Sequence, residues 1–168
     1  MKSVINKHNS KVLRSTKVSS ADDKPMCNCR VKSTCPMSGA CLHSSIIYAA
    51  DVIGNQSTKT YIGLTSNQFK TRFNNHKKSF SNPNYEKESE LSKYVWSLKR
   101  GEVNFEIKWR VVKRAPTTRS PDGNCNLCLE EKVAIVCTDR AYRLNRRSEL
   151  VSKCRHRSLQ QYPPDRDR

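Results

Sequence analysis

Residues 46–80, IIYAADVIGNQSTKTYIGLTSNQFKTRFNNHKKSF, decide the fold. An apolar run over 45–53 is followed by a polar turn that opens with Gly54-Asn55. A second apolar run follows over 60–65. This is the pattern of a two-stranded hairpin, and it puts Tyr48 and Tyr61 on facing strands. Ser66 then stands where a helix cap is expected, before a helix on which Phe69, Phe73 and Phe80 mark one side. Arg72 and His76 are four apart and project from one face of that helix, at the border of its apolar stripe. Taken alone, an amphipathic helix with a solvated basic side accounts for the pair. Beside two tyrosines the pair gains meaning, because Tyr moves protons, Arg holds phosphate and His does either. Tyr48, Tyr61, Arg72 and His76 are therefore candidate catalytic residues for phosphodiester chemistry.

The remaining elements follow outward. Asn82-Pro83-Asn84 ends the first helix. A second starts near Ser89, carries Leu91, Tyr94, Val95 and Leu98 on one side, and stops at Gly101. Phe105, Ile107, Trp109 and Val111 alternate with Glu106, Lys108 and Arg110, which predicts a half-buried strand. Residues 115–124 read as a loop, and a third helix runs over Asn126–Cys137. A short helix is expected near 147–153. The order strand, strand, helix, helix, strand, helix predicts an α+β domain with a small, about three-stranded sheet flanked by helices. The expected organisation is a flexible basic tail over 1–24, a cysteine-rich zinc-binding segment over 25–44, the domain over 45–157 and a flexible tail over 158–168.

Composition bounds the function. The 168 residues are 35% hydrophobic, so the core is modest and a metal or partner is expected to support it. Lys and Arg number 32 against 15 acids, a net charge of +17, which points to a polyanionic partner, above all nucleic acid. Lys70, Lys77 and Lys78 on the first helix, with Arg143, Arg146 and Arg147 in the basic stretch 140–157, are the candidate phosphate contacts. No run approaches the roughly 18 apolar residues that span a bilayer. The opening MKSVINKHNS lacks the apolar stretch of a secretory signal. The expected location is inside the cell, in the nucleus, with no membrane partner. The eight cysteines then read as reduced thiols, in metal sites or in the core, rather than as the frame of a small secreted protein.

Two metal sites are expected. Leu127, Glu131 and Ile135 are spaced by four, so Glu131 lies within the apolar stripe of its helix. A carboxylate there is costly unless paired or bound to metal. An ion pair with Arg72 and a Mg²⁺ (or Mn²⁺) ligand both answer that need. The cysteines fall into Cys27, Cys29, Cys35 and Cys41, with His43 close by, and Cys125-x-x-Cys128. A structural Zn²⁺ joining Cys35 and Cys41 to Cys125 and Cys128 would staple the N-terminal segment to the third helix. Cys27 and Cys29 are alternative ligands, since C-x-C is tighter than usual zinc spacing. Cys137, among Ile135 and Val136, reads as core, and Cys154 has no assignment.

In order along the chain these residues resemble the GIY-YIG nuclease family. IIY at 46–48 stands where GIY would be, and YIG at 61–63 matches outright. More closely, CNCR at 27–30, YIGLT at 61–65, ELSKY at 90–94 and CNLCLEEK at 125–132 are similar to the endonuclease domain of Penelope-like retroelements. The resemblance implies a GIY-YIG-like fold and a DNA endonuclease that nicks a target site by hydrolysing phosphodiester bonds. It implies that Tyr48 activates water with Tyr61 or His76 assisting, that Arg72 stabilises the pentacovalent phosphate, and that Glu131 holds Mg²⁺. Gly63 and Asn145 match supporting positions. A reverse transcriptase and its RNA template are the further partners of such a domain. The chain departs from the family at Ile46, in place of the GIY glycine, and at Leu64, where some relatives carry lysine. It also has no cysteine pair between the tyrosine motifs. The other function class is a zinc-stabilised basic module that binds nucleic acid without cutting it, for which Glu131 would be unnecessary.

Overall fold

The computed structural model describes residues 27–55, 57–115, 125–146, 150 and 154. Both expected tails, Arg147, and all of the expected 147–153 helix except Leu150 lie outside them. Strand β1 (Ile46–Gly54) is the centre of a three-stranded antiparallel sheet in the order β2-β1-β3, with β2 at Thr58–Thr65 and β3 at Phe105–Arg114. The return strand starts two residues earlier than expected. Helices α1 (Phe69–Ser81), α2 (Glu90–Arg100) and α3 (Asn126–Cys137) cover the sheet. The fold class is α+β.

Alternation along β1 sorts the core into two halves, because successive strand side chains point to opposite faces. Ile46, Tyr48, Ala50 and Val52 pack with Tyr61, Phe69, Leu91 and Val95 beneath α1 and α2. Ile47 and Ala49 pack with Ile62, Leu127 and Ile135 beneath α3. β1 is buried on both faces for that reason, while β3 is a half-exposed edge strand. The opposite edge is covered: Tyr142 O accepts from Thr60 N at 2.7 Å, and Leu144 N donates to Thr60 O at 2.8 Å. Buried Asn145 completes this covering like a strand residue, its amide oxygen accepting from Ile62 N and its amide nitrogen donating to Ile62 O, each at 2.8 Å.

Helix starts show where local and tertiary forces compete. Ser89 caps α2, its hydroxyl accepting from Ser92 N at 3.1 Å. Ser66 does not cap α1; the cap position is Gln68, with no side-chain cap bond. The free amides of the first turn are satisfied instead by the cysteine-rich segment, Phe69 N donating to His43 O at 2.9 Å and Lys70 N to Cys41 O at 2.7 Å. Cys137 is a second correction: it is exposed. It lies two residues beyond Ile135, about 200° around the helix from the buried stripe.

Candidate functional site

Four thiols gather at the N-terminal end of α1. The sulfurs of Cys27, Cys29, Cys35 and Cys41 all lie within 4.8 Å of one another. Sγ–Sγ separations are 3.5 Å for Cys27–Cys35, 3.5 Å for Cys27–Cys41 and 3.7 Å for Cys29–Cys41. Zn–S bonds of about 2.3 Å give a tetrahedron with edges near 3.8 Å, whereas a disulfide needs about 2.05 Å. All four are free thiols. A metal such as zinc fits this set. Backbone amides already point at the sulfurs: Cys29 N donates to Cys27 Sγ at 3.3 Å, and Gly39 N to Cys35 Sγ at 3.2 Å. Gly39 has φ 98°, a left-handed turn that suits glycine. Burial pushes the Cys35 thiol up, but the amides of Gly39 and Met37 and then the neighbouring thiols pull it down to about 6. Burial, and then the crowding of Cys27 and Cys29, pushes Cys41 up to about 12.

The expected tetrad of Cys35, Cys41, Cys125 and Cys128 is corrected by this arrangement. Cys35 and Cys41 lie in the half-core under α1, and Cys125 in the half-core under α3, so the sheet separates them. Cys27 and Cys29 complete the first group, and Cys154 joins Cys125 and Cys128. Cys154 had no local pattern to mark it; only the fold brings it back.

Tyr48, Tyr61, Arg72 and His76 converge on the other half of the sheet's first face. Tyr48 is fully buried, its Oη 2.8 Å from His76 Nε2 and accepting from Arg72 Nε at 3.0 Å. The Tyr61 and His76 rings are 6.1 Å apart at 78°. Burial works against the Arg72 guanidinium, yet Tyr48 and then Tyr61 beside it hold its pKa above the ordinary value. Burial, and then the charge of Arg72, drives His76 down to about 3. The imidazole is therefore neutral and can accept a hydrogen bond from the Tyr48 hydroxyl, to which Arg72 Nε also donates. Among the described residues, Arg72 has phenols and no carboxylate as partners, which leaves guanidinium donors free for an anion.

Gly63 makes this possible. It pairs across the strands with Tyr48, and a Cβ there would lie 2.5 Å from Tyr48 Oη and 2.6 Å from Cζ. Gly63→Ala is expected to destabilise the protein by about 1–3 kcal/mol through overpacking, read as a lower urea midpoint at unchanged slope. A parent-like midpoint would show that Tyr48 does not lie across Gly63.

Neutral His76 also has a pH signature. Its folded pKa is depressed, so the unfolded chain takes up the proton first as pH falls. The contribution is complete above about pH 6.5 and is lost as pH drops from there toward about 3. Between pH 7 and 4.5 the parent should lose about 3 kcal/mol more stability than His76→Gln, at roughly 1.4 kcal/mol per pKa unit. Equal losses in urea unfolding at the two pH values would contradict a buried neutral imidazole.

Glu131 is placed differently from the other four. It is half-buried in line with buried Leu127 and Ile135, as the spacing predicts. A carboxylate acting beside Tyr48 and Arg72 would have to face the tyrosines, but α3 covers the opposite sheet face, the one carrying Ile47, Ala49 and Ile62. The physical reason is that α1 and α2 fill the tyrosine face before the chain returns from β3. The alternative ion pair with Arg72 is also absent from that residue's partners, which are phenols. Glu130 bridges to Lys113 at 2.7 Å.

The candidate phosphate contacts spread over the same domain. Lys77 and Lys78 are exposed, and Lys70 donates to Asn28 Oδ1 at 2.6 Å. Arg143 is partly committed, donating to Ile135 O at the end of α3 at 2.8 Å, and Arg146 pairs with Glu90 at 2.7 Å. Arg143 and Arg146, with Lys59, Lys93 and Arg140, line a cavity of about 370 Å³ whose one acid is Glu90. Among the described residues, no helix is long and apolar enough to cross a membrane. No family model, curated protein or solved structure matches the chain.

Proposed function

We propose that this chain is a zinc-stabilised DNA endonuclease whose Tyr48, Tyr61, Arg72 and His76 cluster hydrolyses phosphodiester bonds. The observation that carries the reading is Arg72, set between two phenols, one of which lies against a neutral imidazole. The net charge of +17 and the resemblance to GIY-YIG nucleases support it. In this reading the free donors of Arg72 hold the scissile phosphate. Water attacks phosphorus and gives its proton to Tyr48 acting as a phenolate stabilised by the Arg72 charge, and the bond to the leaving oxygen breaks, the alkoxide taking a proton from solvent water. Cys27, Cys29, Cys35 and Cys41 hold the structural zinc, which acts as a cross-link. The retroelement setting, with a reverse transcriptase and its RNA template as partners in the nucleus, belongs to the same proposal.

Glu131 is the carboxylate the resemblance offers for Mg²⁺ or Mn²⁺. Its inward phase agrees with that role, but its helix covers the sheet face opposite Tyr48 and Arg72. Full burial of Tyr48 and the position of α3 favour the second reading, a basic module that binds DNA without cutting. Incubating purified protein with supercoiled plasmid and Mg²⁺ or Mn²⁺ separates the two: nicked product supports the nuclease, and binding without nicks supports the module. Glu131→Ala beside Glu130→Ala then tells whether the carboxylate takes part. Loss of nicking confined to Glu131→Ala places it in the reaction, and unchanged nicking removes it.

Both readings share one expectation. If about five phosphates are neutralised, a fourfold rise in salt lowers DNA affinity several-hundred-fold. Filter binding that shows no change over that range would contradict DNA as the polyanion.

A further inference from the structure

Cys125, Cys128 and Cys154 form a second thiol group, with all three sulfurs within 4.8 Å of one another. All are free. A disulfide would join two of these sulfurs and strand the third, whereas a metal ion uses three neighbouring thiolates at once. Cys125 stands at the N-cap of α3 and Cys128 within its first turn, the C-x-x-C half of a common zinc arrangement. Cys154 comes from 26 residues beyond Cys128. Leu150, packed against the half-core under α3, brings the returning chain to the same place.

We propose that Cys125, Cys128 and Cys154 form a second metal centre, separate from the first, which binds zinc or a similar borderline-soft divalent ion and clips the basic C-terminal segment to the start of α3. Three sulfurs fill three corners of a tetrahedron, which leaves the fourth for water. The clip closes the stretch that covers the β2 edge through residues 142–145 and carries Arg143 and Arg146. The two centres differ in access. Cys35 and Cys41 are buried in the first, while Cys154 in the second is exposed. A chelator therefore reaches the second ion sooner.

The test is zinc content and zinc release of the full chain purified without chelator. The parent should hold two zinc ions, released to a chelator in a fast and a slow phase. Cys154→Ser, a surface change, should retain one ion and lose only the fast phase. Cys137→Ser, exposed and outside both groups, should keep both ions. One ion in the parent, removed by Cys35→Ser but not by Cys154→Ser, would overturn the second centre and leave the first standing. Two ions retained in Cys154→Ser, or one lost from Cys137→Ser, would also overturn it. Replacing zinc with Co²⁺ gives an independent reading: sulfur-to-cobalt absorption should fall by roughly three sevenths in Cys125→Ser if that change empties a three-thiolate site beside a four-thiolate one. Unchanged absorption would contradict the assignment.

Discussion

Cys35→Ser protein is expected to lose the zinc of the first thiol group and to melt far below the parent. Structural zinc contributes about 10–16 kcal/mol of apparent binding free energy in small peptides at neutral pH. A whole domain is stable by only about 5–15 kcal/mol. Here a metal cross-link would support more than its own loop. Cys35, Met37 and Cys41 pack into the half-core beneath α1, and the carbonyls of Cys41 and His43 hold the first amides of that helix. Releasing the segment exposes the α1 start and one end of the core together. A fall of more than 10 °C in melting temperature follows even if only about 5 kcal/mol is lost, at roughly 2–4 °C per kcal/mol for a chain of this size. Chelation of the parent should give a similar fall. A Cys35→Ser protein that melts with the parent would show that the thiols are ordinary core residues.

Arg72→Ala should lower the cleavage rate by about 10²- to 10³-fold, the usual effect of removing a donor aimed at developing negative charge. Its effect on DNA binding should be small, a drop of about one in the salt slope. The difference arises because Arg72 is held by two phenols, where it cannot swing toward the groove of a long duplex as a free surface cation does. The change also removes the charge that favours an ionised Tyr48. Tyr48→Phe should slow cleavage as well while leaving the salt slope unchanged, since it removes a proton carrier and no cation. Cleavage by Tyr48→Phe at the parent rate would leave Arg72 as a phosphate clamp and take Tyr48 out of the reaction.

Much of this fold is legible in the sequence wherever one face of an element is buried by its own periodicity. The alternation through Phe105, Ile107, Trp109 and Val111 gives β3, and Leu91 with Val95 gives the inner side of α2. Other features depend on contacts that sequence spacing does not contain. Ser66 has the chemistry of a cap, but carbonyls from residues 41 and 43 reach the α1 amides first. The spacing of Leu127, Glu131 and Ile135 tells which side of α3 points inward, but it does not tell which sheet face lies beneath. The same limit divides the cysteines. The tight C-x-C spacing sets Cys27 and Cys29 aside in favour of Cys125 and Cys128, while the sheet between the halves makes two groups and recruits Cys154. The Tyr48, Arg72 and His76 set was easier to read because Arg72 and His76 share one helix and Tyr48 faces that helix from the central strand.

Arg72 and its phenols are proposed to act on phosphodiester bonds and not merely to attract DNA. Plasmid nicking by Arg72→Ala beside Arg146→Ala, with the parent as reference, tests it most directly. Each change removes one positive charge, but Arg146 is an exposed partner of Glu90 while Arg72 sits against Tyr48. The parent and Arg146→Ala are expected to nick at similar rates at saturating protein, and Arg72→Ala to bind plasmid yet leave it supercoiled. Nicking by Arg72→Ala at the rate of Arg146→Ala, or a parent that binds and never nicks, would contradict it.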